Sequence, residues 1–218
     1  RNGSTTETRD VVGLMDLGER DTYLQPPLIN ALPGNATNLP FNEANDLYSK
    51  IISDPNARRS SFVTSRLAAL GLTSVQDFEK TFARKLNPND YIFDPQVGYI
   101  TLSQPLQPDE ILGVAFRYSY NGKIYQIGEF SQDVVPDGDS TNGVVGNQKV
   151  LFLKLLKATS QRTNLPIWDL MMKNVYALKT RDGNYLSSVQ PTDFSLNVLY
   201  EEPSLGPKNF LPESDAAA

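Results

Sequence analysis

The chain of 218 residues carries 20 Lys and Arg against 25 Asp and Glu, a formal charge of −5, so a basic phosphate-neutralising surface for nucleic acid is not expected. It contains no His and no Cys, which excludes His-based acid–base chemistry, Ser and Cys triads, His- or Cys-ligated zinc, and thiolate nucleophiles. What stays open is carboxylate or Lys chemistry, oxygen-ligated cations, or a role without chemistry, in a chain whose length and 39% hydrophobic content suit one domain with an ordinary core.

Residues 1–40 are polar and rich in turn formers, among them Gln25-Pro26-Pro27 and Leu32-Pro33-Gly34-Asn35, and read as an extended arm. Only Val11-Val12-Gly13-Leu14 has strand character there. From Phe41 the apolar period becomes helical. Ala44, Leu47, Tyr48, Ile51 and Ile52 share one face that Asp54-Pro55 ends, and Val63, Leu67 and Leu70 form a second, with Gly71 as its C-terminal cap. A third helix is predicted from Thr73, spaced as a capping box with Gln76, through Val75, Phe78 and Phe82 to Asn87-Pro88.

After Asn89 the period becomes two. Tyr91-Ile92-Phe93 and Val97 to Leu102 read as strands. Val114–Tyr120 and Lys123–Phe130 flank Asn121-Gly122, the signal for a type I′ hairpin whose two-residue turn sets Phe116 opposite Ile127, Tyr118 opposite Tyr125 and Arg117 opposite Gln126. Residues 131–147 read as a loop. Gln148 to Lys157 alternates Leu151, Leu153 and Leu155 as a strand, with a helix as the alternative, and Pro166 opens a short helical turn containing Trp168. Strand character returns over 174–178, Asp182-Gly183 signals a second hairpin, and a last strand runs from Phe194 to Tyr200.

The expected fold is therefore mainly β with appended α: an antiparallel sandwich or jelly-roll-like core over about 90–200, preceded by short amphipathic helices over about 42–86. The expected layout is an arm over 1–40, one β-rich domain over 41–203, and a tail over 204–218. The closing Ala216-Ala217-Ala218 reads as a cloning scar, and with Arg1 at the start the chain looks like a piece of something longer. The apolar runs, such as Val150 to Leu153 before Lys154, fall far short of the ~18–20 residues of a membrane helix.

Candidate chemistry is sparse, and no catalytic, cofactor-binding or metal-ligating residue is assigned. Asp133, Asp137 and Asp139 lie in the acidic loop, and Asp137-Gly138-Asp139-Ser140-Thr141-Asn142-Gly143 opens like a calcium loop. Asn142 then stands where an EF-hand needs Gly, and Gln148 where it needs Glu. A solvated loop is the plainer reading. Glu110, Glu129, Asp169 and Asp193 flank predicted strands and are candidates for a carboxylate pair, which sequence alone does not pair. Phe116, Tyr118, Tyr120, Tyr125 and Phe130 read either as one buried hairpin face or as a carbohydrate-stacking platform, and Trp168 beside Met171 and Met172 reads as a plug over the sheet edge. Asn2-Gly3-Ser4 and Asn35-Ala36-Thr37 match the glycosylation sequon without further support.

Several long words of the sequence carry a resemblance: Val75 to Leu86 (VQDFEKTFARKL), Tyr99 to Leu106 (YITLSQPL) with Asp109-Glu110, the hairpin Val114 to Phe130, Leu151 to Lys157 (LFLKLLK), and Pro166 to Tyr176 (PIWDLMMKNVY). In this order, over roughly residues 41 to 200, they resemble the SprA/Sov family of very large Bacteroidetes envelope proteins. The resemblance implies an outer-membrane translocon of the type IX secretion system, tied in some relatives to gliding motility. A barrel pore needs many tilted strands with an apolar outer face, which this acidic chain does not supply, so the segment would be an accessory domain. Its expected partners are the remainder of the translocon chain and other secretion-system proteins, at the cell envelope on the periplasmic or extracellular side. The expected function is a non-catalytic structural or protein-interaction domain, needing no cofactor. The alternative is a calcium- or carbohydrate-binding jelly-roll module, with an enzyme a distant third.

Overall fold

The computed structural model describes residues 7–19, 39–134, 149–160 and 163–175, together with 190, 192, 195, 197, 199–202 and 205–208. The chain divides into two compact units, Arg1–Lys173 and Asn174–Ala218, rather than the single domain expected over 41–203. The first unit holds strands β1 (Thr8–Leu14), β2 (Phe78–Arg84), β3 (Tyr91–Asp94), β4 (Tyr99–Leu102), β5 (Leu112–Val114), β6 (Phe116–Tyr120), β7 (Lys123–Ile127) and β8 (Leu151–Lys157). Helices α1 (Leu47–Ser53) and α2 (Val63–Ala69) and 3₁₀ turns at Pro55–Arg58, Ser131–Asp133 and Pro166–Leu170 complete it.

Four strands form a mixed sheet in the order β2-β1-β8-β5, with β1 antiparallel to β2, parallel to β8, and β8 antiparallel to β5. The segment expected as an arm thus supplies a central strand. Every residue from Val11 to Glu19 is buried, as a strand covered on both faces requires. On one face Val12, Leu14, Phe78, Val150 and Phe152 pack beneath Leu47, Ile51, Val63 and Leu67 of the helices. On the other, Met15 and Leu155 meet Ile167, Met171 and the half-buried Trp168, while Val11 and Leu151 meet Val134. Helices occupy one side of the sheet, which is where a sandwich would place its second sheet. Among the described residues the strands form this one mixed sheet and separate two-stranded ribbons. The fold is mainly β.

The first two helices lie where their apolar periods put them. α2 ends in a Schellman arrangement: Gly71 N–H donates to Ala68 C=O (2.9 Å) and Leu72 N–H to Leu67 C=O (3.1 Å), with Gly71 at φ +84° and Leu72 buried against the core. The third predicted helix is a strand. Phe78 and Phe82, four apart, share a helix face but equally share a strand face, and pairing with β1 from Leu14↔Phe78 to Thr8↔Arg84 decides between them. Instead of a capping box, Thr73 N–H donates to Asp77 Oδ2 (2.7 Å), and Val75 turns the chain at φ +68°.

Two hairpins project as ribbons. β3 and β4 pair from Tyr91↔Leu102 to Asp94↔Tyr99. β6 and β7 pair in the predicted register, Phe116↔Ile127, Arg117↔Gln126 and Tyr118↔Tyr125, across Asn121 (φ +48°) and Gly122 (φ +75°), as a type I′ turn demands. Burial falls on one strand: Tyr125 and Ile127 of β7 are enclosed, whereas Phe116 of β6, opposite Ile127, is 40% exposed. β8 confirms the strand expected over 148–157, and Pro166 opens its 3₁₀ turn as predicted. In the second unit, β9 (Tyr200–Glu202) pairs antiparallel with β10 (Leu205–Lys208). Of the strand expected over 194–200 only Tyr200 is in a strand among the described residues. The Asp182-Gly183 hairpin, most of the 174–178 strand and the 137–143 acidic run lie outside the described residues.

Candidate functional site

The helical face of the sheet carries two clusters of buried charge. Past β7 the chain runs beside β8, where Glu129 N–H donates to Phe152 C=O (3.0 Å). This places the Glu129 carboxylate between sheet and helices. It accepts four bonds, from Arg58 Nη1 and Nη2 (2.8 and 2.6 Å), Tyr48 Oη (2.7 Å) and Phe152 N–H (2.9 Å). Arg58 also lies over the Phe152 ring, 5.4 Å from its centroid. Burial, then the neighbouring carboxylate, raises the Tyr48 hydroxyl well above the usual phenol range. For Arg58 burial works the other way, but the hydrogen bonds and charge of Glu129 outweigh it and its pKa rises. A carboxylate so fully occupied is a fastener for α1, the following 3₁₀ turn, the hairpin and β8.

The second cluster is asymmetric. Lys154, projecting from β8, pairs with Glu19 at 2.7 Å and donates to Met15 C=O. Glu19 Oε2 accepts Leu17 N–H (2.6 Å), and Asp16 Oδ1 accepts Gly18 N–H (2.8 Å). Asp16 Oδ2 is buried with no partner. Burial first, and the Glu19 carboxylate second, push the Asp16 carboxyl up to about 7. At the N-terminal end of β1, buried Arg9 donates to the carbonyls of Lys149 (2.6 and 2.8 Å) and Val134 (3.2 Å), holding Val134 beside Lys149.

Among the described residues, no hydrogen bond or ion pair joins the carboxylates proposed from sequence. Glu129 is the buried fastener, Glu110 is exposed and accepts Gln107 N–H (2.8 Å), Asp169 is exposed on its 3₁₀ turn, and Asp193 lies outside the described residues. Asp133, at the foot of the acidic loop, accepts Phe130 N–H (3.2 Å) and Gln126 Nε2 (2.8 Å). The aromatic set is a short stack: Phe116–Tyr118 at 6.3 Å and Tyr118–Tyr125 at 5.3 Å, with Phe41 edge-on to Tyr125 at 5.5 Å. Trp168 packs over the second core cluster, with Lys173 Nζ 3.9 Å from its ring centroid. Sequence reasoning missed Asp16, Glu19 and Lys154. The available signal was Lys154 itself, a charge inside an otherwise apolar strand, which burial obliges to find a partner.

A recess of about 110 Å³ lies between the helices, lined by Lys50, Asp54, Arg66, Leu67 and Leu70, small beside the ~300–1,000 Å³ of ordinary ligand pockets. Exposed apolar side chains stand on both ribbons: Ile92 (71% exposed), Phe93 and Val97 on the β3–β4 hairpin, and Ile124 (70%) on the β6–β7 hairpin. Among the described residues no helix is long and apolar enough to cross a membrane. No family model matches the chain, and a search of the curated proteins finds no match.

Proposed function

We propose that this chain is a non-catalytic protein-interaction module whose two ribbons are its docking elements. The carrying observation is the exposure of Ile92, Phe93, Val97 and Ile124 on two-stranded ribbons outside the main sheet. Isolated hairpins are marginal in water, and apolar side chains gathered on them mark interaction surfaces. The occupation of Glu129 by four donors supports a structural role for the one buried carboxylate among the described sequence candidates.

On the sequence resemblance given above, the assembly would be the type IX outer-membrane translocon, with this module in the cell envelope contacting the rest of that chain or other secretion proteins. The test is a photocrosslinking residue placed at Ile92 or Ile124 within the intact translocon in cells. Crosslinks to translocon or secretion components from either ribbon are expected, and none from both would overturn the reading. The second reading, a jelly-roll module binding calcium or carbohydrate, draws on the stacked Phe116–Tyr118–Tyr125 rings and the Asp137-Gly138-Asp139 run. It would need a second sheet built from the strands predicted over 174–200. A rise in Tm with millimolar calcium or with a glycan would favour it.

A further inference from the structure

We propose that the open edge of β2 binds an extended, acidic segment of a partner protein, added to the sheet as a fifth strand. This deepens the interaction reading and rests on it. The sheet order ends at β2, and among the described residues no strand pairs with its outer side beyond a single bridge at Phe78.

The hydrogen-bond parity follows from two bonds. Met15 N–H donates to Asp77 C=O and Lys85 N–H to Glu7 C=O, each at 2.9 Å. Antiparallel pairs alternate between bonded and non-bonded, so in the observed register the backbones of Glu79, Thr81 and Ala83 face β1, and those of Phe78, Lys80, Phe82 and Arg84 face outward. Phe78 C=O fits this parity, since Val75 N–H takes it from outside at 2.7 Å. The free stretch is therefore Lys80 to Arg84, long enough for a short added strand.

Its side chains select the occupant. Phe82 is 66% exposed between the exposed Lys80 and Arg84. Lys80 Nζ donates to Ser60 C=O (2.6 Å), next to the exposed Arg59, while Arg84 pairs with Asp90 (3.0 Å) and Lys85 with Glu7 (3.2 Å). Arg59, Lys80, Arg84 and Lys85 against Asp90, Glu7 and Asp10, the β1 residue opposite Phe82, leave this rim positive by one in a chain of net charge −5. A second copy suits it poorly, because antiparallel self-pairing about Phe82 sets Lys80 opposite Arg84, and like charges in that position repel. An acidic strand with an apolar residue against Phe82 complements it in charge and in surface.

The test uses the whole 218-residue chain and fluorescein-labelled eight-residue peptides, one alternating Glu and Val, one alternating Lys and Val, read by fluorescence anisotropy. The acidic peptide is expected to bind, about tenfold more weakly at high salt, and the basic one not at all. Phe82→Pro removes an outward N–H while sparing the ladder to β1, so the Tm should hold and affinity fall about tenfold or more. Should that variant not fold, the doubly reversed Lys80→Glu/Arg84→Glu chain is expected to reject the acidic peptide and accept the basic one. Absence of acidic-peptide binding, undiminished binding to a folded Phe82→Pro chain, or no change of preference on charge reversal overturns the proposal. Loss of edge binding with Ile92 and Ile124 crosslinks intact removes the edge alone; loss of those crosslinks with edge binding intact removes the ribbon reading.

Discussion

Replacing Glu129 with Leu would leave the Arg58 guanidinium and the Tyr48 hydroxyl facing a greasy layer with no acceptor. A broken buried pair costs about 3–5 kcal/mol, whereas exchanging both partners for apolar residues of similar volume is often close to neutral. Glu129→Leu is therefore expected to lower stability by that amount in urea denaturation, and Arg58→Met/Glu129→Leu to recover most of it. Asp16 makes the opposite demand. Its carboxyl titrates near 7 in the folded chain and near its ordinary 3.8 when unfolded, so the folded state holds the proton to higher pH. Stability from this group is full below about pH 4, falls as pH rises towards about 7, and stays low above. Asp16→Asn should flatten that slope and raise stability at pH 8 by up to about 4 kcal/mol, the linkage value of such a shift, in denaturation profiles taken across the range. At this scale the sequence was partly legible. A lysine at position 154, amid Leu151, Phe152, Leu153, Leu155 and Leu156, demanded a counterion, but nothing local pointed to Glu19, whose partnership is made by strand pairing.

At the scale of elements, legibility followed locality. The type I′ turn, the register of β6 with β7, and the end of α2 are each written in a few neighbouring residues, and each is found where expected. Gly71→Ala puts a methyl group on a residue at φ +84° and is expected to cost about 1 kcal/mol, seen as a fall in Tm of a few degrees. The segment from Thr73 to Leu86 misled because an apolar spacing of four serves helix and strand alike. What settles it is β1, more than sixty residues upstream, offering seven paired positions. Burial within the hairpin was also only half legible: alternation named the inward row, but where the ribbon leaves the sheet depends on neighbours the alternation does not encode.

For the whole molecule, the mainly β character was readable from the two-residue period after Asn89, while the layered plan was not. The expected sandwich assumed that strands near in sequence would build the sheet; instead the sheet takes one strand from the N-terminal region and three from later in the chain. The division at Lys173 has a direct test. A chain ending at residue 173 keeps all four sheet strands and both covering layers, so it should unfold in one cooperative transition with a Tm close to one of the transitions of the 218-residue chain. Two separated melting steps for the truncated chain would contradict the division.

The parallel pairing of β1 with β8 joins Val11 to Leu151, 140 residues apart. During synthesis the N-terminal segment leaves the ribosome long before the strand it must lie against, and it is apolar on both sides. Joining such distant stretches pays its chain-closure entropy late, which slows folding and lengthens the period of exposure. The strand at 8–14 thus stays unsheltered along its β8 flank until about 140 further residues have been made.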